Sequence, residues 1–333
     1  MTQAIRQLYD VAALGNAIVD VISPCDDAFL ATEGLHKGGM ALIDQATATS
    51  LHGRMNKEAV QTSGGSAANT IAGLASFGGK GAFIGKIAND ATGDVFAKDM
   101  NGIAAFSGHK LTDGTASGRC LINVTPDGQR TMSTFLGAAA LFDDSDIDPA
   151  VIEAAAIVYL EGYLFDPEPA RRAFAKAAAL AHGAGRMIAL TLSDAFVVDR
   201  HRGALLGFIE TQVDVLFANE VELCSLFGTD FDAAIKHIQP LAKIAAVTRS
   251  EKGSVIAAGG QLHEVAAFPV DKVVDTTGAG DQYAAGFCFG LSQGRPMAVC
   301  GQLGSLAAAE VISHYGPRPN VSLKDQAAKA GLA

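Results

Sequence analysis

Short apolar runs alternate with stretches of helical period along most of the chain. The runs at 11–14, 82–84, 157–160, 187–192, 215–217 and 245–248 are short and almost uniformly apolar, which predicts strands buried on both faces. Beside them, apolar residues recur at helical spacing over 66–77, 90–100, 169–182, 221–227 and 231–241, which predicts helices packed on that sheet. Strand and helix in alternation predict an α/β fold with a mostly parallel sheet covered on both sides.

Two regions break the rhythm. Residues from about 18 to 43 contain Gly34, Gly38 and Gly39 and little helical period. Residues from about 110 to 136 alternate in polarity on either side of Pro126-Asp127-Gly128-Gln129, a strong hairpin signal. These segments predict a small β-sheet standing off the main one, able to act as a lid; the plainer alternative is a hairpin at the sheet edge. With no repeat and no low-complexity linker, residues 1–333 are expected to form one domain.

Composition narrows the function classes. A chain of 333 residues, 49% hydrophobic, is long enough for a large core, and its 37 glycines suit many tight strand–helix turns. The net charge of −10 without a basic block argues against a nucleic-acid partner. Five scattered cysteines without a Cys-x-x-Cys spacing read as reduced thiols, and eight histidines form no zinc spacing. No apolar run reaches the ~20 residues of a membrane span, and Met1 to Asp10 carries no signal pattern, so a cytoplasmic protein is expected. The Walker phosphate loop is absent.

The chemistry concentrates in Asp275-Thr276-Thr277-Gly278-Ala279-Gly280-Asp281, followed by a helix over 282–291. Gly278, Ala279 and Gly280 then open a helix, where free amides and absent side chains let anionic oxygens approach the backbone. A carboxylate beside bound phosphate is repelled, so Asp281 is not there to bind it. It makes sense as the acceptor of a proton from an attacking hydroxyl, and phosphoryl transfer needs that pairing of donors and base. The alternative is a helix cap on a tight turn.

Three further groups sit at predicted strand ends or helix starts. Asn16 and Asp20 follow the first strand, and a carboxylate there can accept from two neighbouring sugar hydroxyls. Gly64 and Gly65 open a helix in which Asn69 lies about one turn along, and an ordinary glycine-rich helix start would look the same. Asn219 and Glu222, after the strand at 215–217, share a helix face; the alternative is a simple N-cap followed by helix-favouring acids.

Taken together these strings closely resemble the signatures of the ribokinase-like (PfkB-type) family of carbohydrate and nucleoside kinases, from Leu14 to about Pro319, with adenosine kinases the nearest branch. The resemblance implies a three-layer αβα sandwich with a small β-sheet lid. It implies ATP and Mg²⁺ as cofactors and a small nucleoside or sugar as partner, in a monomer or homodimer. In its terms Asp281 is the general base and the Gly278, Ala279 and Gly280 amides form the anion hole. Asn16, Asp20, Gly64, Gly65 and Asn69 then bind the acceptor. Asn219, Thr248, Gly253 and Thr277 contact the nucleotide, and Glu222 organises the metal. Asp275 and Thr277 match residues beside a monovalent-cation loop, which adds K⁺ as a further cofactor. Adenosine phosphorylated to AMP by in-line transfer, in purine salvage, is the activity expected first. A ribokinase- or fructokinase-like sugar kinase, or a non-catalytic binder of nucleotide or sugar, are the alternatives. Tyr163, Phe165 and Phe135 are candidate stacking partners for a base, and a helix at 306–314 is expected beside the adenine of ATP.

Overall fold

Strands that are apolar at every position demand cover on both sides, and the computed structural model, which describes residues 6–332, supplies it. The opening segment read for a targeting signal lies partly outside these residues. The strands are β1 Tyr9–Leu14, β2 Ile18–Pro24, β3 Met40–Leu42, β4 Val60–Gly64, β5 Gly81–Ala88, β6 Ala105–Leu111, β7 Gly118–Val124, β8 Arg130–Phe135, β9 Ala155–Glu161, β10 Met187–Thr191, β11 Val215–Asn219, β12 Ile244–Thr248, β13 Ser254–Ala258 and β14 Gln261–Val265. The helices are α1 Asp27–Thr32, α2 Gln45–Arg54, α3 Ser66–Ser76, α4 Ala91–Asn101, α5 Pro149–Glu153, α6 Glu168–Gly183, α7 Ala195–Gln212, α8 Glu220–Phe227, α9 Phe231–Ile238, α10 Ala279–Ser292, α11 Met297–Val311 and α12 Leu323–Lys329.

Nine strands form one sheet in the order β14-β13-β12-β11-β10-β9-β1-β5-β6, parallel except at β13 and β14. Side chains on a strand alternate between faces, so each strand feeds two cores. Ala12 and Leu14 of β1 join Val158 and Leu160 of β9 in a cluster with Phe174 of α6, Leu205 of α7 and Leu223 of α8. Val11 and Ala13 turn the other way, with Ile157 and Tyr159, to meet Ile71 of α3, Phe96 of α4 and Phe287 of α10. Fully burying a side chain of this size contributes roughly 1.5–3 kcal/mol, so both layers are needed to hold the sheet. The three-layer α/β architecture is as expected.

The second sheet has five strands in the order β3-β8-β7-β2-β4. The Pro126–Gln129 turn joins β7 to β8 as a hairpin, with Gly128 at φ +81°. This sheet reaches beyond the segments expected for it, because β4 at 60–64 is one of its edges. Lys110 and Leu111 fall outside it: they end β6, which pairs with β5 at the margin of the large sheet.

Several elements differ from the sequence expectation: the 18–43 segment, read as having little helical period, holds the short helix α1, and α2, α5, α12 and β6 were not anticipated. Helix α7 was not anticipated, because its apolar period is weak; it buries Val197, Val198, Leu205 and Ile209 and is kinked at His201. The β13–β14 hairpin turns on Gly259-Gly260, both at positive φ, and carries too little apolar alternation to stand out. The helix expected at 306–314 starts earlier, as α11.

Candidate active site

Along the sheet, the chain passes from β1 to β5 and β6 on one side and to β9 and beyond on the other. The switch in direction falls between β1 and β9, and a crevice opens outside the C-terminal ends of such a pair. Asn16, just past β1, donates from Nδ2 to Glu161 Oε1 at the end of β9 (2.7 Å). The other oxygen of Glu161 accepts the Ala67 N–H at the start of α3 (3.0 Å). Burial pushes the Glu161 carboxyl up to about 7 despite these two donors.

Helices α3 and α10 both point their N-termini into this crevice. Asp281, in the first turn of α10, accepts from Ser66 Oγ (2.6 Å) and Asn69 Nδ2 (3.1 Å), both on α3. Burial raises its pKa from 3.8 to about 6 against the pull of these hydrogen bonds. Gly278 is the N-cap of α10, at φ +79°. The Ala279 N–H turns back to the Thr276 carbonyl (3.2 Å), whereas those of Gly278 and Gly280 meet no protein acceptor among the described residues. A Cβ on Gly280 would touch nothing within 4 Å. Alanine would favour the helix there by about 1 kcal/mol, so packing gives no reason for this glycine; clearance above the turn does.

Asp20 approaches from the small sheet. It lies on β2 against Gly64 of β4, so closely that any side chain on Gly64 would overlap its carboxylate. Burial lifts its pKa to about 6, opposed by the charges of Arg318 and Arg130 and reinforced by Asp281. Gly65, at φ +92°, lies against the Asn16 carbonyl. The structure therefore brings Asn16, Asp20, Gly64, Gly65, Asn69 and Asp281 together.

The remaining residues lie further along the same edge. Asn219 ends β11, paired with Thr248 at the end of β12. At ~4.8 Å per strand, β11 is about 14 Å from β1, so the candidate residues line an elongated groove. Asn219 and Glu222 form a reciprocal cap at the start of α8. Asn219 Nδ2 donates to Glu222 Oε1 (2.7 Å), its N–H donates to Oε2 (3.0 Å), and its own Oδ1 accepts the Glu222 N–H (2.8 Å). Burial pushes Glu222 up to about 7, and the charge of Asp194 adds to the rise. Gly253 is in the turn before β13 at φ +82°. Thr277 donates from N–H (3.0 Å) and hydroxyl (2.6 Å) to Asp275 Oδ1. Arg249 is committed to an ion pair with Glu220 and lies over the Phe231 ring.

Of the three aromatic candidates, Phe165 is excluded: it is core, packed against Phe174 and Phe208. Tyr163 is half-exposed and Phe135 partly buried. Sequence reasoning missed Glu161, Ser66, Arg130 and Arg318. Arg318 reaches Ser63 Oγ (2.6 Å), Asp99 (3.1 Å) and Asn69 Oδ1 (3.4 Å), which fixes the amide facing Asp281. Glu161 could have been found, because an acid ending an apolar strand at the sheet's C-terminal edge is the signal by which Asp20 was singled out, although Asp20 itself proves to lie on β2 rather than in a loop after β1. Arg318 lies in an irregular loop that offers no such signal.

A carboxylate with a raised pKa, facing unpaired amides across an open turn, can accept a proton beside a bound anion. Known proteins bear on what that anion is. Residues 39–324 match the pfkB family of carbohydrate kinases. The adenosine kinase of Sinorhizobium meliloti is 46% identical, with a TM-score of 0.88 over 97% of this chain and 99% of its own. A probable sugar kinase of Rhizobium etli is 44% identical, with a TM-score of 0.90 over 98% and 100%. The adenosine kinase of Saccharomyces cerevisiae is 26% identical over 92% of this chain and 96% of its own. The chain belongs to the pfkB family of carbohydrate kinases. It is an ATP-dependent kinase whose acceptor is a hydroxyl on a small molecule. Among the described residues no helix is long and apolar enough to cross a membrane.

Proposed function

We propose that the protein transfers the γ-phosphoryl group of ATP to the primary hydroxyl of a nucleoside, adenosine first, with Asp281 as general base. The observation that carries the choice of acceptor is the character of the small sheet beyond Asp20. Ile18, Asp20 and Ile22 share one face of β2, and the neighbours of Ile18 and Ile22 on that face are Cys120, Ile122, Val124 and Met132. A cavity of about 500 Å³ continues from there, lined mostly by apolar groups such as Ile22, Val60, Val124 and Tyr315, with Glu58, Thr125 and Arg130 as its polar residues. A flat, weakly polar base fits such walls; a free sugar, with a hydroxyl on nearly every carbon, would leave its donors unpaired.

In this reading the small sheet is a lid on a single domain. Asp20 and Asn16 hold the ribose hydroxyls while Asp281 takes the proton of the attacking one. At neutral pH a group with a pKa near 6 is mostly ionised and still basic enough to accept it. The amides of the Gly278–Gly280 turn stabilise charge on the moving phosphoryl group, and the nucleotide extends along the edge past Thr277 toward Asn219, Thr248 and Gly253. Mg²⁺, when bound, neutralises phosphate charge. Glu222, with Asp194 beside it raising its pKa, is a buried acid in want of a cation, and with Asn219 it offers the oxygen donors that Mg²⁺ accepts through its water shell.

A sugar acceptor is the second reading, favoured by the 44% identity to a probable sugar kinase. An ADP-release assay over a panel of nucleosides and sugars decides between them. Adenosine is expected to give the highest kcat/KM, and a hexose or pentose turned over faster would sink the nucleoside assignment.

A further inference from the structure

We infer that Arg130 supplies, in this chain, the positive charge that the family resemblance assigns to K⁺ at the Asp275–Thr277 loop, and that it thereby sets the phosphoryl-binding turn only when the small sheet is seated. The inference rests on the reading of Gly278–Gly280 as that turn.

The residues present do not fit a monovalent cation. A carboxylate offers about four lone-pair sites, and all those of Asp275 are taken. Oδ1 accepts the Thr277 N–H and hydroxyl, while Oδ2 accepts the Gly316 N–H (3.1 Å) and Arg130 Nη1 (2.6 Å). Both side chains of the ion pair are only 9% exposed. A second cation at this carboxylate would have to displace the guanidinium or lie against its charge in a poorly solvated place, where repulsion is strong. Burial pushes the Asp275 carboxyl up, but Thr277, Gly316 and Arg130 outweigh it and hold it below its ordinary value.

The connection to the small sheet is direct. Arg130 is the first residue of β8, immediately after the hairpin turn. The tip of that hairpin lies against the loop after α11, since a Cβ on Gly128 would lie 2.6 Å from the Tyr315 hydroxyl, and the N–H of the next residue, Gly316, donates to Asp275. One carboxylate thus joins three distant segments: the small sheet, the loop before α10 and the loop after α11. If the small sheet lifts, Arg130 leaves, and Asp275 is left buried without its counter-charge. The turn that begins immediately after Thr277 then loses the anchor that fixes it. Arg130 is therefore a positioning residue, acting on the turn through Asp275.

The test uses the full chain with ATP and its best acceptor, in KCl, NaCl and tetramethylammonium chloride at matched ionic strength. Wild-type kcat is expected to change less than about twofold among the salts. Arg130→Ala should lower kcat by about 10–100-fold, with a smaller change in KM for ATP, as expected for a misplaced turn. Arg130→Lys should recover part of the loss, and K⁺ should raise the activity of Arg130→Ala above its level in tetramethylammonium. A wild-type requirement for K⁺ of about tenfold or more, or wild-type turnover by Arg130→Ala, would overturn the inference. Should Arg130→Ala not fold, the wild-type salt series and Arg130→Lys still decide. If the wild type turns over no hydroxyl acceptor, the functional reading has failed instead. The cation claim is then judged from the melting temperature, which should show no rise specific to K⁺.

Discussion

Replacing Asp281 by asparagine removes one ionisable oxygen and almost no volume, so catalysis and folding can be read separately. Loss of a general base lowers kcat by on the order of 10²–10⁴, equivalent to about 3–5 kcal/mol on the barrier. The effect on folding is smaller and has two parts of opposite sign. Burial lifts this carboxyl from 3.8 to about 6, so its charged form is disfavoured in the folded state by roughly 3 kcal/mol at neutral pH. Asparagine escapes that penalty. Its Oδ1 can accept from Asn69 Nδ2 while its NH₂ donates to the Ser66 hydroxyl, which turns to accept, but two charge-assisted hydrogen bonds become neutral ones, which costs about 1–3 kcal/mol. The two parts nearly cancel. The melting temperature is expected to stay within about 5 °C of wild type for a chain of this length, and ATP should bind almost as before. Steady-state kinetics and a thermal melt of the same preparation check both. A variant that melts like wild type and keeps kcat within about tenfold would refute the role given to Asp281.

Acidification should move activity and stability in opposite directions. Asp281 must be ionised to act, so kcat/KM should fall as the pH drops through about 6. Asp20, Asp281, Glu161 and Glu222 all have folded pKa values raised above those of the unfolded chain. Their contribution to stability is therefore fully present below about 4 and is lost as the pH rises through about 6–7, so the melting temperature should be higher at pH 5.5 than at pH 8, to be read by calorimetry; a lower one would contradict these directions. Gly280→Ala should fold as well as wild type or slightly better, since its methyl meets nothing within 4 Å, yet lose at least about tenfold in kcat by filling the turn where the phosphoryl group passes. Unaltered kinetics would mean that the turn holds no anion. Asp20→Ala should raise the acceptor KM more than it lowers kcat, and a pure kcat effect would show that Asp20 does not hold the acceptor.

The layered fold was legible because a two-sided sheet writes itself as uninterrupted apolar runs, and the hairpin because Pro126–Gln129 allows little else. What escaped has physical reasons. Helix α7 carries Asp199-Arg200-His201-Arg202-Gly203 through its middle and buries few side chains, so its period is faint. β4 contributes Val60–Gly64 to the small sheet with exposed and polar positions that carry no strand alternation. The core of the site was readable at Asn16, Gly64, Gly65, Asn69 and Asp281, because each stands at a strand end or helix start; Asp20, expected in a loop past the first strand, lies instead within β2 of the small sheet, which carries it over the crevice. Ser66, Glu161, Arg130 and Arg318 act through contacts between segments 94 to 255 positions apart in sequence, and no local pattern marks them. Asn219 and Glu222 show the converse: their spacing was read for both a metal and a cap, and the cap is formed in full.

The central claim is a two-sided site in which Asp20 holds the acceptor and Asp281 faces the hydroxyl that attacks. A crystal structure with adenosine and a non-hydrolysable ATP analogue tests it most directly. The account predicts the 5′ oxygen within about 2.6–3.2 Å of an Asp281 oxygen, the ribose hydroxyls on Asp20, and the γ-phosphoryl group over the Gly278–Gly280 turn. A nucleoside bound with its 5′ oxygen turned away from Asp281, or with its ribose nowhere near Asp20, would contradict it.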